Sequence, residues 1–414
     1  MFLKHLSLTN YRNFARLDVD VPPGAVLLVG ANAQGKTSLL EAVYFLATFV
    51  SFHAETDRQL INFVAGREPL AVARIVAEFC REASEVPSRP PSSHRIEVRI
   101  IQEANGLNGG VRARKEILLD GIERKVSDAV GAFNAVLFQP QSLRVVEGSP
   151  EERRRYLNLT LAQAVPHYAA SLADYNRALS QRNALLKQLN ERGGDPGQLS
   201  YWDELLASTG SSLIAARIQS IQELERLAAR LHSHLTRGAE VLRLSYEPAY
   251  DPLPQPERQY ALPLNAPLDR SGISLEKIQQ GFLEALERLR PEEIARGVTT
   301  IGPHRDDLRF LANGINLGTY GSRGQARTAM LALKLAEVAW LREKTGQWPV
   351  LLLDEVLAEL DAQRRLDLLE RLAETEQSML TTADLDAFPQ DFIHRATLWR
   401  IHAGQLETWK VETG

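Results

Sequence analysis

Ala25-Val26-Leu27-Leu28-Val29 runs directly into Gly30-Ala31-Asn32-Ala33-Gln34-Gly35-Lys36-Thr37, and this junction decides the fold. An uninterrupted apolar run of this length has the pattern of a strand buried on both faces. The octet after it fits G-x-x-x-x-G-K-[ST]. Its glycines let a loop wrap a phosphate with backbone N–H groups, while the following helix turns the positive end of its dipole toward the anion. That helix is expected from Thr37 to Phe49, where Leu39, Leu40, Val43, Leu46 and Ala47 recur on a helical period. Lys36 is then placed to reach the β- and γ-phosphates of a nucleotide, and the Thr37 hydroxyl to ligate Mg²⁺.

Upstream, Leu3, Leu6 and Leu8, then Leu17, Val19 and Val21, alternate with polar residues around a turn at Asn10–Asn13, as paired strands would. Downstream, a second strand-rich stretch runs from about Ala71 to Leu119, interrupted by a polar loop at Ser84–Ser93. From Pro150 to about Thr236 the chain becomes charged and Leu/Ala-rich, divided by Gly193-Gly194-Asp195-Pro196-Gly197. Ile214, Ile218, Ile221, Leu224, Leu227, Leu231 and Leu235 mark an amphipathic helix in its second half. Two helices about a Gly/Pro turn predict a short hairpin arm. Pro-rich sequence at Pro248–Pro267 predicts a linker or extended edge, and a helix follows over roughly Leu275–Leu289. Strand–helix alternation then returns, with a helix at about Gln325–Lys344, a strand at Val350–Leu353 and a helix at about Ala362–Ala373. The expected organisation is α/β, with residues 1–149 and 296–414 forming the two parts of one domain and 150–295 a helical lobe inserted between them.

Two further motifs bear on chemistry. Pro349-Val350-Leu351-Leu352-Leu353 ends in Asp354-Glu355, so a buried parallel strand delivers two carboxylates at its C-terminal edge. Asp354 suits a water-mediated Mg²⁺ contact, and Glu355 can accept a proton from an attacking water. Tyr320-Gly321-Ser322-Arg323-Gly324-Gln325 precedes a long helix and forms a second anion-binding N-terminus. One γ-phosphate does not easily occupy both helix ends within one chain. A second protomer could supply Ser322, Gly324 and Gln325 across an interface, and the alternative is an ordinary N-cap Ser322 on a structural helix.

Composition sets the class. The 414 residues carry 44% hydrophobic and 24% charged side chains, enough for a sizeable core. No apolar run approaches the roughly 20 residues of a membrane span, and the N-terminus lacks the pattern of a secretory signal, so a cytoplasmic protein is expected. One cysteine, Cys80, excludes an intramolecular disulfide and a Cys-based zinc cluster. A formal net charge of −4 does not advertise nucleic-acid binding, although the positive charge is carried mainly by arginine and DNA responds to local patches.

The blocks from Met1 to about Ile61, from Phe138 to Leu157 (FQPQSLRVVEGSPEERRRYL) and from Ile301 to Asp386 (IGPHRDDLRF, YGSRGQARTAMLALKLAE, LLLDEVLAELDAQRR, TTADLD), in that order, resemble the RecF family. These are bacterial DNA replication and repair proteins, ABC-type ATPases related to SMC proteins. The resemblance implies an ABC/SMC-like P-loop ATPase head carrying the helical lobe. It makes Gly30 to Thr37 the Walker A loop, Asp354 and Glu355 the Walker B pair, and Ser322, Gly324 and Gln325 a signature acting in trans. Leu360 and Asp361 become the D-loop, Gln139 the Q-loop, Asn32 a γ-phosphate contact, and Arg12 an approach to the nucleotide from the side. It implies ATP and Mg²⁺ as cofactors, with slow hydrolysis. The implied partners are double-stranded DNA and single-strand/double-strand junctions, an ATP-dependent homodimer and RecR, in gap repair that assists RecA loading.

The sequence departs from the family at three places. Arg323 stands where the signature usually has Gln, Gln141-Ser142 replace an acidic pair, and no switch histidine is apparent at Thr381–Asp384. A transport ATPase coupled to a membrane partner would more often carry Leu-Ser-Gly-Gly-Gln and that histidine. A small-molecule P-loop kinase gives no reason for the signature helix, and a long-armed SMC protein needs far more helix than the insert provides. Several features are read as structural: His232 and His234, two apart on a helix, the His304–Asp307 run, and Cys80 in an apolar strand. Arg153-Arg154-Arg155 is either a solvated helix face or a phosphate contact.

Overall fold

The computed structural model describes residues 1–81, 92–104, 111–253 and 269–409. The expected polar loop therefore lies outside the described residues, except that Ser92 and Ser93 already belong to a strand. The Pro-rich stretch also lies outside them beyond residue 253. The chain divides into two compact units, residues 1–141 with 337–414, and residues 142–336.

The first unit is built on two six-stranded sheets. Strands β1 (Phe2–Tyr11), β2 (Phe14–Asp20), β4 (Leu70–Arg81), β5 (Ser92–Ala104), β6 (Val111–Leu119) and β7 (Ile122–Glu123) form an antiparallel sheet in the order β2-β1-β4-β5-β6-β7. The other sheet has the order β15-β14-β3-β13-β12-β8, from β3 (Gly24–Val29), β8 (Ala135–Phe138), β12 (Val350–Asp354), β13 (Gln377–Thr382), β14 (Thr397–His402) and β15 (Gln405–Trp409). All its pairs are parallel except β14 with β15. β3 and β12 are largely apolar, and every residue of β12 is buried, because both faces of a parallel sheet are covered. The helix Lys36–Thr48 contacts both sheets, and Leu39, Val43 and Leu46 share one core with Leu6, Leu8 and Ile75 of the antiparallel sheet and Val26, Leu28 and Leu352 of the parallel one. β3 and β12 flank β13 and run parallel to it, so the glycine loop after β3 and the Asp354-Glu355 pair at the end of β12 reach the same C-terminal edge, where open α/β sheets bind ligands. Cys80 is buried in β4.

The second unit is mainly helical. It holds the helices Pro150–Ala162, Tyr168–Arg192, Ser200–Leu235 and Leu275–Arg296, with a three-stranded sheet of β9 (Leu242–Glu247), β10 (Asp307–Ala312) and β11 (Ile315–Asn316). Ser149 and Glu152 form a reciprocal capping box at the first helix, with Pro150 at its opening position. The expected two-helix hairpin is a packing of three helices, since Leu275–Arg296 contacts both of the long ones. That third helix also continues past its expected end, through Pro291. Glu293 just beyond the proline accepts from Arg182 Nη1 at 2.6 Å and from the Thr300 amide at 2.6 Å, which ties the extra turn down.

Two buried ionic clusters hold this unit. Arg182 donates to Asp203 and Glu293, each at 2.6 Å, with all three side chains fully buried. Arg217 donates to Asp306 Oδ2 and the Pro303 carbonyl, each at 2.6 Å, to Asn158 Oδ1 at 3.0 Å and to the Tyr168 hydroxyl at 3.2 Å. Asp306 also accepts from Tyr246 and from the Ala249 amide. His304 sits beside them, hydrogen-bonded through Nδ1 to Tyr175 at 2.7 Å, and burial pushes its pKa down to about 4. Within the arginine run, Arg153 and Arg154 are engaged inside this unit, whereas Arg155 is exposed on the helix. Arg153 forks onto Asp307 at 2.6 and 3.0 Å, and Arg154 donates to the Asp306 carbonyl at 2.8 Å. His232 is buried and His234 is exposed. Among the described residues, no helix is long and apolar enough to cross a membrane.

Candidate functional site

The phosphate loop is shaped by close backbone approach. A Cβ on Gly30 would lie 2.5 Å from the Ile401 carbonyl oxygen, and one on Gly35, whose φ is 116°, would lie 2.4 Å from Asn13 Nδ2. Ala33 also takes a left-handed conformation, with φ 62°. Residues outside the motif brace the loop: Asn13 Nδ2 donates to Gln34 O at 2.8 Å, the Gly404 amide donates to the same oxygen at 3.1 Å, and the Ala403 amide donates to Gln34 Oε1 at 2.7 Å. Asn32, Ala33, Gln34, Gly35, Lys36 and Thr37 line a cleft of about 680 Å³, whose size falls in the range of small-molecule sites.

Lys36 is buried, and its Nζ donates to Gly30 O at 2.6 Å and Ala31 O at 3.0 Å. The ammonium lies 3.7 Å from Glu355 Oε1. These carbonyls are neutral acceptors, so a phosphate oxygen is the stronger partner for the cation. Thr37 Oγ1 donates to Asp354 Oδ1 at 2.9 Å, Thr381 Oγ1 donates to the same oxygen at 2.9 Å, and the Glu355 amide donates to Thr381 Oγ1 at 2.9 Å. Asp354 is thereby buried and oriented by two hydroxyls, whereas the Glu355 side chain is 47% exposed at the end of a residue with φ 53°. A non-glycine residue in this region is uncommon and directs its carboxylate out of the strand into the cleft.

Gln139 follows β8 one residue beyond the registered pair Leu353↔Phe138 and, unlike Gln141, does not line the cleft. Its Oε1 is buried and makes no hydrogen bond. Arg12 lines the cleft, with its guanidinium clamped on Glu41 at 2.6 and 2.7 Å and donating to Gln59 O at 3.1 Å. Burial would lower the Arg12 pKa, but the paired Glu41 reverses this and the net shift is upward. Asp361 caps the helix Ala362–Leu372 by accepting from the Arg364 amide at 2.9 Å, the main cause of its lowered pKa, while Leu360 is buried.

The signature residues belong to the second unit. Ser322 and Gln325 form a reciprocal cap at the start of the helix Arg323–Thr345: the Gln325 amide donates to Ser322 Oγ at 3.2 Å, and the Ser322 amide donates to Gln325 Oε1 at 2.9 Å. Gln325 Nε2 reaches Glu240 at 2.8 Å. Ser322, Arg323 and Gly324 are exposed, and Tyr320 before them is 79% exposed. Sequence reasoning missed Asn13, Thr381, Glu41, Asn62 and Phe63. Asn13 closes the turn at Asn10–Asn13, but only the fold reveals its contact with Gln34.

A family model described as RecF/RecN/SMC N terminal domain matches residues 2–390. A DNA replication and repair protein RecF from Chloroflexus aurantiacus is 40% identical over 98% of this chain and 99% of its own length. One from an Exiguobacterium species is 36% identical over 99% of this chain and 100% of its own. The solved structure of the recombination mediator protein RecF-ATPrS in the RecFOR pathway superposes with a TM-score of 0.80 at 28% identity, covering 99% of this chain and 98% of that one. The corresponding RecF-ATP structure gives 0.78 at 27% identity, covering 99% of each. With its ABC/SMC-like head and nearly full-length relatives, this chain belongs to the RecF family of DNA replication and repair proteins.

Proposed function

We propose that this chain binds ATP at the cleft beside β3 and β12, closes as a dimer on duplex DNA near single-strand gaps, and hydrolyses ATP slowly to release it. The observation that carries this reading is the hydrogen-bonded set Thr37–Asp354–Thr381–Glu355 beside the buried Lys36. Lys36 exchanges its loop carbonyls for β- and γ-phosphate oxygens. Thr37 and Asp354 offer hard oxygen ligands of the kind Mg²⁺ prefers, so the residues fit the ion. When bound, Mg²⁺ neutralises charge on the phosphates. Glu355 takes the proton of a water whose oxygen bonds to the γ-phosphorus, while the bond to the β–γ bridging oxygen breaks and ADP leaves.

The exposed Ser322-Arg323-Gly324 end offers the Ser322 hydroxyl and the Arg323 and Gly324 amides of the helix N-terminus to a γ-phosphate held by a second copy. Gln325 and the buried Leu360 with Asp361 complete that interface. Arg323 adds a cation where the phosphate charge is greatest. Under this reading the partners are duplex DNA and single-strand/double-strand junctions, a second protomer and RecR, and the process served is RecA loading in the cytoplasm.

Ser322→Arg tests the trans arrangement. The variant keeps its own phosphate loop and binds ATP, but fails to dimerise on sizing chromatography with ATP, and its hydrolysis falls. Mixing it with Lys36→Met forms one composite site with both lesions and one with neither, so part of the ATPase activity returns. A Ser322→Arg protein that turns over normally as a monomer would sink the arrangement.

A further inference from the structure

The cleft beside the phosphate loop extends to a rim made by Asn62, Phe63 and Val64. Phe63 is 75% exposed and Val64 is 71% exposed, two adjacent large apolar side chains facing water at the edge of a charged site. The segment that carries them is firmly held. Asn62 Nδ2 donates to Arg12 O at 2.7 Å, its Oδ1 accepts from the Val64 amide at 3.0 Å, and the Asn62 amide donates to Asn10 O at 2.8 Å. From the other side, Gln102 Nε2 donates to Gly66 O at 2.9 Å. The Arg12–Asn13 turn that anchors Phe63 is the same turn that braces Gln34, so ring and phosphate loop share one scaffold. The Arg67 guanidinium lies over one face of the Phe63 ring, 4.6 Å from its centroid, so a planar ligand stacks on the other face.

We propose that Phe63, with Val64 beside it, is the stacking platform for the nucleobase of the nucleotide whose phosphates enter the loop. This rests on the ATP reading above and deepens it. A base presents flat π-faces, and stacking on an aromatic side chain strengthens binding by about 5- to 150-fold whatever the base. The Asn62 amide is committed to backbone partners, so recognition here runs through the face of the base rather than its edge. The platform therefore favours a purine triphosphate over a pyrimidine one, because the larger ring system covers more of Phe63.

Isothermal titration of the full chain with ATP and with inorganic tripolyphosphate, both with Mg²⁺, separates the platform from the loop. Phe63→Ala weakens ATP by about 10-fold and leaves tripolyphosphate unchanged, while Phe63→Tyr, which keeps the ring, keeps ATP. Lys36→Met loses both ligands. The exposure of Phe63 makes misfolding of these variants a minor concern, and unchanged tripolyphosphate binding verifies the fold directly. Phe63→Ala with wild-type ATP affinity, or with equal losses for both ligands, overturns the platform. A wild-type protein that binds neither ligand overturns the ATP reading beneath it.

Discussion

Lys36 and Arg217 are both buried cations, 3% and 1% exposed, yet they are completed in opposite ways. Arg217 fills its guanidinium with a carboxylate, a carbonyl, an amide oxygen and a hydroxyl of its own chain. Lys36 has two neutral carbonyls and a carboxylate at 3.7 Å. The charge at Arg217 meets a carboxylate at 2.6 Å, and the charge at Lys36 has its nearest carboxylate at 3.7 Å, which leaves room for the phosphate proposed above. What separates architecture from chemistry here is the completeness of the partner set, since burial is the same in both.

Deleting each cation breaks this comparison most sharply. Arg217→Met strands Asp306 as a buried, unpaired carboxylate and costs about 3–5 kcal/mol, read as a lower urea midpoint. Lys36→Met removes a cation whose carboxylate neighbour, Glu355, is 47% exposed and stays solvated without it, so its midpoint stays near wild type while ATP binding is lost. Equal destabilisation by the two variants would erase the distinction.

Glu355→Gln addresses the carboxylates in the same spirit. Asp354 is held by two hydroxyls, whereas Glu355 is half exposed and aimed into the cleft. The substitution leaves ATP affinity intact and slows single-turnover hydrolysis by about 10²-fold, the typical worth of a positioned general base. Unchanged hydrolysis would move the base to another carboxylate.

The head was legible because its signals are local in the chain. A glycine loop between an apolar strand and an amphipathic helix, and Asp354-Glu355 closing an apolar run, each fit within a few residues. The brace on that loop was not legible, because Asn13, Gln34 and Gly404 meet only once β14 lies beside β3. The polar Arg217 on the buried stripe of Ile214, Ile218 and Ile221 was a usable sign of an internal ion pair, but its partner Asp306 lies 89 positions away. The third helix of the lobe was foreseen as an element and missed as a packing partner, since an apolar stripe does not say which stripe it meets. Phe63 carried no pattern at all, because a single exposed aromatic in a loop is defined only by the cleft it borders.

The smallest expected effect lies in the satisfied region, at His304. Burial holds this imidazole neutral, with a pKa pushed down to about 4 against an ordinary value of 6.5. The group is a base whose folded pKa is depressed, so between these values the unfolded chain binds a proton that the native chain refuses. Stability therefore rises with pH across the window and is lost as pH falls from 6.5 toward 4. Between neutral pH and pH 5.5 the loss amounts to about 1.4 kcal/mol, one pKa unit of linkage. His304→Gln carries no titrating group and gives up the hydrogen bond to Tyr175 at every pH, so its stability is lower overall but flatter across that interval. Urea midpoints at pH 7.5 and pH 5.5 for both proteins isolate the slope from the offset. If the two proteins lose stability in parallel on acidification, the buried imidazole is protonated in the native state and the second unit is less completely satisfied than Arg217 and Asp306 indicate.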